Sequence, residues 1–458
     1  MHAEKSQRLL KGPILATLVK LAMPIMASSF LGLAYTLTDM FWVASLGERA
    51  VAAVGSGGTL IWLVDSLFAL PRVGGQVLVG QSLGAGDRTG AKDWARTILR
   101  LGYAMAIVIM AIFLFLPDPL TAVFRFNDAD TIVRTSTYIR LIGIGMIPKV
   151  GVRLYSAMLT ASGNSTTPLI VYTVGLVLNM ALDPLLIRVV GMDVAGAAVA
   201  TVVAETVTFL LMLWAVRNNP LFSRFRLWHP PFDLKRLGPV ARLGAPVSIQ
   251  SSVHALATVF ISRQIVRFGD LAVAAQRLGA QIESISWMTA DGFGVAVNAF
   301  MSQNVGARAH DRVRRGYWAG FWLVSAICTA TTLILYFLGG PIVQLFFDDP
   351  EALMHGTTYL HVLSASQLLM GIQLLTSSAF AALGQTLFPS IVVTALMVAR
   401  LPLGAWLSQT PLGVNGIWWS FTITTNLAGL ILAIALPIFM RQNKAVIYAE
   451  VTETSADA

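Results

Sequence analysis

Five oxygen-bearing side chains interrupt the most apolar stretches of the first half of this chain: Tyr35, Asp39, Asn179, Asp183 and Thr201. Inside a bilayer an ionisable group costs ~2.5–3.5 kcal/mol or more, so it faces a cavity or a partner. Tyr35 and Asp39 are four residues apart and share one helix face, as do Asn179 and Asp183. Pro184 has no N–H, which leaves the carbonyl of Met180 without its helical donor. Two carboxylates, an amide, a hydroxyl and a freed carbonyl form an oxygen-rich environment suited to a hard cation. Two neighbouring carboxylates also resist joint ionisation, so the same group can hold a proton. The residue types leave Na⁺ and H⁺ both open. Glu205, four residues beyond Thr201, can extend the site or hydrogen-bond between helices.

The elements that position these residues follow from composition. Of 458 residues, 56% are hydrophobic and 12% charged, and the mean hydropathy is +0.70. Soluble globular proteins carry about 25% charged residues, so roughly half the usual charge is missing. The apolar residues fall in blocks that approach the ~20 residues needed to cross a ~30 Å hydrocarbon layer. The formal charge of +9 sits in short connections without an aromatic-rich soluble domain, which argues against nucleic acid as a partner. One cysteine, Cys328, excludes an intrachain disulfide and a cysteine-based metal cluster. No Walker A segment supports ATP-driven transport, and six scattered histidines, including His254 in a span, offer no catalytic cluster.

Twelve spans are expected, at about 14–44, 51–83, 96–117, 134–160, 166–188, 194–216, 240–267, 271–305, 314–338, 352–383, 387–408 and 414–440. The fold class is therefore all-α integral membrane, with two six-helix bundles. The divisions are an N-terminal tail (1–13), a first lobe (14–216), a linker (217–239), a second lobe (240–440) and a C-terminal tail (441–458). Lys and Arg concentrate in alternate loops, around Arg88 to Arg96, Arg217 to Arg236 and Arg308 to Arg315, and in both tails. That bias predicts cytoplasmic termini. Compact loops and the lack of an organellar signal predict a bacterial inner membrane.

The halves repeat one another. Leu21-Ala22-Met23-Pro24 matches Leu243-Gly244-Ala245-Pro246 at a shift of 222, and Gln81-x-x-Gly84-Ala85 matches Gln303-x-x-Gly306-Ala307 at the same shift. Gly163 and Pro168 match Gly384 and Pro389 at 221, and Gly196 matches Gly416 at 220. Six spans per half set both repeats the same way up, with substrate expected between or within them.

With the paired Gln-x-x-Gly-Ala segments, Pro24 and Pro246, Tyr35-x-x-x-Asp39, Asn179-x-x-x-Asp183-Pro184 and Thr201, the chain resembles the multidrug and toxic compound extrusion (MATE) family, in one of its prokaryotic branches. The resemblance runs over about residues 10–440. It implies a twelve-helix secondary transporter that alternates between outward- and inward-facing states and needs no cofactor. Small organic compounds, often cationic or amphipathic, would leave in exchange for H⁺ or Na⁺. It also implies that Tyr138 lies near the cavity. Related flippases of lipid-linked precursors are the alternative, and a membrane-embedded enzyme is a distant third. The expected partners are small organic substrates and the lipid bilayer, with the protein a monomer.

Depth supports one cluster independently of the family. Asp39 falls in the outer third of its span. Asp183, 15 residues past Pro168, lies roughly 22 Å from the cytoplasmic end of its helix. Thr201 comes about 10 Å below the outer surface, since its helix enters from that side. By the repeat, Asp39 corresponds to Ile261, Asn179 to Arg400 and Asp183 to Gly404, so the oxygen cluster belongs to the first half alone. In the second half, Glu283 and Asp291 are further substrate-cavity candidates alongside Tyr138 and Glu205; either could instead pair with Arg400 or Arg263. Asp65 and Arg72, seven apart, are expected to pair along one helix.

Overall fold

The computed structural model describes residues 8–222 and 233–442. The start of the N-terminal tail, residues 223–232 of the linker and the C-terminal tail beyond 442 lie outside the described residues. Sixteen α-helices, short π and 3-10 segments, and no strands make up the main elements among the described residues.

The first six spans are α1 (Ile14–Ala44), α2 with α3 (Glu48–Leu67, Ala69–Gly84), α4 (Arg88–Phe115), α6 with α7 (Ala129–Ile144, Met146–Ala161), α8 (Thr166–Pro184) and α9 (Asp193–Val216). A short α5 (Pro117–Ala122) follows the third span, where Pro117 and Pro119 stop it. The second six are α10 (Leu237–Ile265), α11 (Asp270–Gly306), α12 (His310–Gln344), α13 with α14 (Pro350–Ser364, Gln367–Ala382), α15 (Leu387–Leu407) and α16 (Val414–Gln442). These are the twelve expected spans, and the first begins and ends on the expected residues.

Among the described residues, nine helices, or eleven spans with the two bent pairs, are long and apolar enough to cross a membrane. The twelfth, α11, has 37 residues but carries Gln276, Arg277, Gln281, Glu283, Asp291, Asn298 and Asn304. Its repeat counterpart, Glu48–Gly84, is also 37 residues long. Both bent pairs turn by 51°, and both open on an aspartate cap. Asp128 accepts from Thr131 N at 2.9 Å, and Asp349 from Glu351 N and Ala352 N at 2.9 Å each. The two hydrogen bonds from Thr131 hold the exposed Asp128 carboxyl below its ordinary range.

The chain forms two compact units whose boundaries fall inside helices. One comprises Ala27–Ala245 and the other Arg8–Met26 with Pro246–Gln442 among the described residues. Pro24 and Pro246, in α1 and α10, lie at or beside these boundaries. In the first unit α2 and α9 pack on α6, α4 packs on α3 and α7, and α8 packs on α9. The core is large and apolar, with Ile98, Leu99, Met146 and Met158 fully enclosed. In the second unit α11 packs on α12, α13 and α14, and α15 packs on α16. Phe300, Tyr317 and Cys328 are buried there. Large apolar side chains such as Phe41, Phe115, Trp322 and Phe337 are exposed, as in a protein solvated by lipid.

The repeat is visible in backbone conformation. Gly47 and Gly269 end corresponding loops at φ 95° and 99°, and Gly163 and Gly384 turn the chain at 85° and 80°. A side chain is strained at such angles, which accounts for glycine at both members of each pair. Gly196 and Gly416 serve closeness instead. A Cβ at the first would press on the backbone of Leu186 and Ile187, and at the second on that of Leu407.

Candidate functional site

Helix α8 carries Asn179 and Asp183 on its buried face, both fully enclosed. Their four-residue spacing lets Asn179 Nδ2 donate to Asp183 Oδ1 at 3.3 Å. Pro184 ends the regular helix, and Leu185–Val189 continue as a π turn in which Val190 N donates to Leu185 O at 2.9 Å. A proline cannot supply the i→i−4 bond, so the widened turn starts where the ladder loses its donor.

Helix α1 brings Tyr35 and Asp39 to the same region. Tyr35 Oη donates to Thr201 Oγ1 of α9 at 2.9 Å. Asp39 and Asp183 are near enough for their charges to interact, and both act on Tyr138, as does Glu205. Tyr138 is buried against Gly57, where a Cβ would overlap its ring. Asp39 Oδ1, Asn179 Oδ1 and Asp183 Oδ2 are buried and accept no hydrogen bond. Unsatisfied buried oxygens are rare in folded proteins. Converging on one region, they form an environment that attracts a cation or a proton. No group of three or more His, Cys, Asp or Glu side chains suited to a metal ion occurs among the described residues. The cluster has two carboxylates, and neutral oxygens complete it.

A charged network borders the cluster. Asp65 Oδ2 lies 2.9 Å from Arg153 Nη2 and 3.7 Å from Lys149 Nζ, and Lys149 Nζ lies 4.0 Å from Glu205 Oε1. The sequence expectation pairs Asp65 with Arg72. Asp65 meets Arg153 and Lys149 of α7 instead. Lys149 and Arg153 escaped notice, although their spacing of four places both on one face of α7. Glu205 thus stands between the network and the cluster.

In the second unit, Glu283 accepts from Gln367 Nε2 at 3.2 Å, with Tyr359 and Arg400 within electrostatic reach. Its hydrogen bond comes from this neutral amide, not from Arg400 or Arg263. Asp291 lies eight residues further along α11, two turns away. Arg263 instead sits 6.0 Å from the Phe260 ring centre. His254 is exposed on α10, within electrostatic reach of Arg400. Tyr359 is the repeat counterpart of Tyr138, at a shift of 221, and it packs on Gly279 as Tyr138 does on Gly57. The repeat map alone could have identified it.

The MatE family model matches residues 24–185 and again 246–406, one match for each half. The chain is 25% identical to a probable multidrug resistance protein NorM of Thermotoga maritima, covering 88% of this chain and 87% of that protein. It is 29% identical to the probable multidrug resistance protein YoeA of Bacillus subtilis, covering 86% and 87% respectively. A crystal structure of MATE in the straight conformation superposes with a TM-score of 0.87 at 22% identity, over 96% of this chain and 98% of the other. That likeness concerns the fold.

Proposed function

The chain belongs to the MatE family of membrane transporters and is not an enzyme, and we propose from that premise that it is a secondary-active multidrug exporter. It moves small organic compounds, often cationic or amphipathic, outward in exchange for H⁺ or Na⁺ by alternating access between its two lobes. The relatives from Thermotoga maritima and Bacillus subtilis carry multidrug resistance names and match over 87% of their length, which supports the substrate class. The coupling ion is carried at Asp39, Asn179, Asp183 and Thr201, with Tyr35 positioning Thr201. The observation behind this assignment is the set of three buried oxygens without donors on Asp39, Asn179 and Asp183.

The exchange follows from electrostatics. With no cation bound, two nearby carboxylates in a low-dielectric lobe repel one another, and a proton or Na⁺ relieves that repulsion. A conformation open to the outside loads the ion as substrate leaves, and one open to the inside releases it as new substrate is taken up, so ion entry and substrate exit are linked. Tyr138 and Glu205 border the cluster and line the substrate path on the first-lobe side; Glu283 and Asp291 do so on the second. Both termini are cytoplasmic, in a bacterial inner membrane, and the protein acts as a monomer.

Accumulation of a cationic rhodamine ester in intact cells tests the assignment. Cells expressing the protein should hold less dye than empty cells. Asp39→Asn and Asp183→Asn, at equal membrane abundance, should restore accumulation to the empty-cell level. Full export by both variants would remove the carboxylates from the coupling site.

A further inference from the structure

The repeat that sets Asn179 in the first unit sets Arg400 at the same place in the second. Arg400, on α15, is half-buried in a helix that spans the membrane. A cation at that depth is costly unless it is paired or functional. Its Nε donates to Thr424 Oγ1 and its Nη2 to Thr425 Oγ1, both at 3.0 Å. The guanidinium lies over the Phe421 ring, 4.5 Å from its centre. These partners orient the fork without neutralising it.

Glu283 acts on Arg400 electrostatically, but its hydrogen bond comes from Gln367. Among the described residues, Arg400 has no ion-pair contact of the kind Asp65 makes with Arg153. A guanidinium has five N–H donors, and two are engaged by hydroxyls. The rest suit a planar, bidentate acceptor such as a carboxylate or a phosphate. Where the first unit presents oxygens, the second presents a held cation.

We propose that Arg400, fixed by Thr424 and Thr425 over Phe421, receives the carboxylate or phosphate group of a transported organic compound. The exported compounds then include amphipathic anions and zwitterions besides cations. This deepens the export reading above and rests on it.

The test is equilibrium binding, by fluorescence anisotropy, of two dyes to the full chain in phosphatidylcholine nanodiscs. One is a zwitterionic rhodamine with a free carboxylate and the other is its methyl ester. Wild type should bind the acid more tightly than the ester. Arg400→Gln should weaken the acid by about tenfold or more, the scale of a hydrogen bond to a charged group, and leave the ester unchanged. Arg400→Lys should recover part of the difference, and Thr425→Val should shift the acid alone by a smaller factor. Thr425→Val also serves if Arg400→Gln does not fold.

Equal binding of acid and ester by wild type would overturn the proposal. So would equal weakening of both dyes by Arg400→Gln, which would make Arg400 a brace between α15 and α16. Loss of the acid preference in phosphatidylglycerol discs would assign the site to a lipid headgroup, also against the proposal. Ion-driven export of the ester is measured separately. Its failure, with the acid preference intact, would bring down the export reading and leave the anion site standing.

Discussion

At the scale of single residues, the first unit separates polar groups that are satisfied from polar groups that are not. Asp65, Lys149 and Arg153 compensate one another, whereas Asp39, Asn179 and Asp183 keep buried oxygens without donors. Removing one member of a buried ion pair costs ~3–5 kcal/mol. Arg153 is 40% exposed and Asp65 18%, so solvent screens part of that. Asp65→Ala should therefore lower stability by about 2 kcal/mol, read as a fall in the thermal midpoint of purified protein. Asp39→Asn should raise the midpoint or leave it unchanged, because it removes a charge that lacks a hydrogen-bonded partner on one oxygen. The cluster was readable in the sequence because each member is a polar residue in an apolar run at helical spacing. The network was not, because Asp65, Lys149 and Glu205 come from three helices and no spacing within one helix connects them. Arg400 was visible only as the residue opposite Asn179, and its threonine partners depend on how α15 meets α16.

At the scale of elements, prolines and glycines determine where helices bend, stop and touch. Gly384 adopts φ 80°, where a side chain is strained. Gly384→Ala should lower stability by about 1 kcal/mol or more. Gly32, inside α1, has no neighbouring atom within 4 Å of a Cβ built there. Gly32→Ala should raise stability by up to ~1 kcal/mol through helix propensity. Opposite signs for the two variants in one thermal-shift series would verify that a glycine is required at positive φ and dispensable in an open stretch of helix. Helix ends were legible because Pro117, Pro168 and Pro350 lie where helices start. The interruptions at Phe68 and Gly145 were missed, although Pro71 and Pro148 leave the carbonyls of Leu67 and Ile144, four residues earlier, without a helical donor. The π turn after Pro184 was foreshadowed as a freed carbonyl, without its extent.

At the scale of the whole molecule, the duplication is the main organising fact, and the sequence discloses it through a shift that stays between 220 and 222. The two family matches, starting at Pro24 and Pro246, follow the same period. What the sequence conceals is that compact units need not follow chain order, since Arg8–Met26 joins the second unit. Chain order gives no sign of this, because a continuous helix passes from one unit into the other. Orientation rests on the placement of Lys and Arg and can be checked directly. A C-terminal alkaline phosphatase fusion should be inactive and a C-terminal green fluorescent protein fusion bright, whereas the reverse would invert the topology.

The claim that ion entry drives export is tested most directly in proteoliposomes loaded with a cationic rhodamine ester, under an imposed pH gradient or an imposed Na⁺ gradient. Wild type should move dye under one gradient and stay idle without it, and correctly inserted Asp39→Asn should move none. Dye export by Asp39→Asn at the wild-type rate under that same gradient would contradict the account.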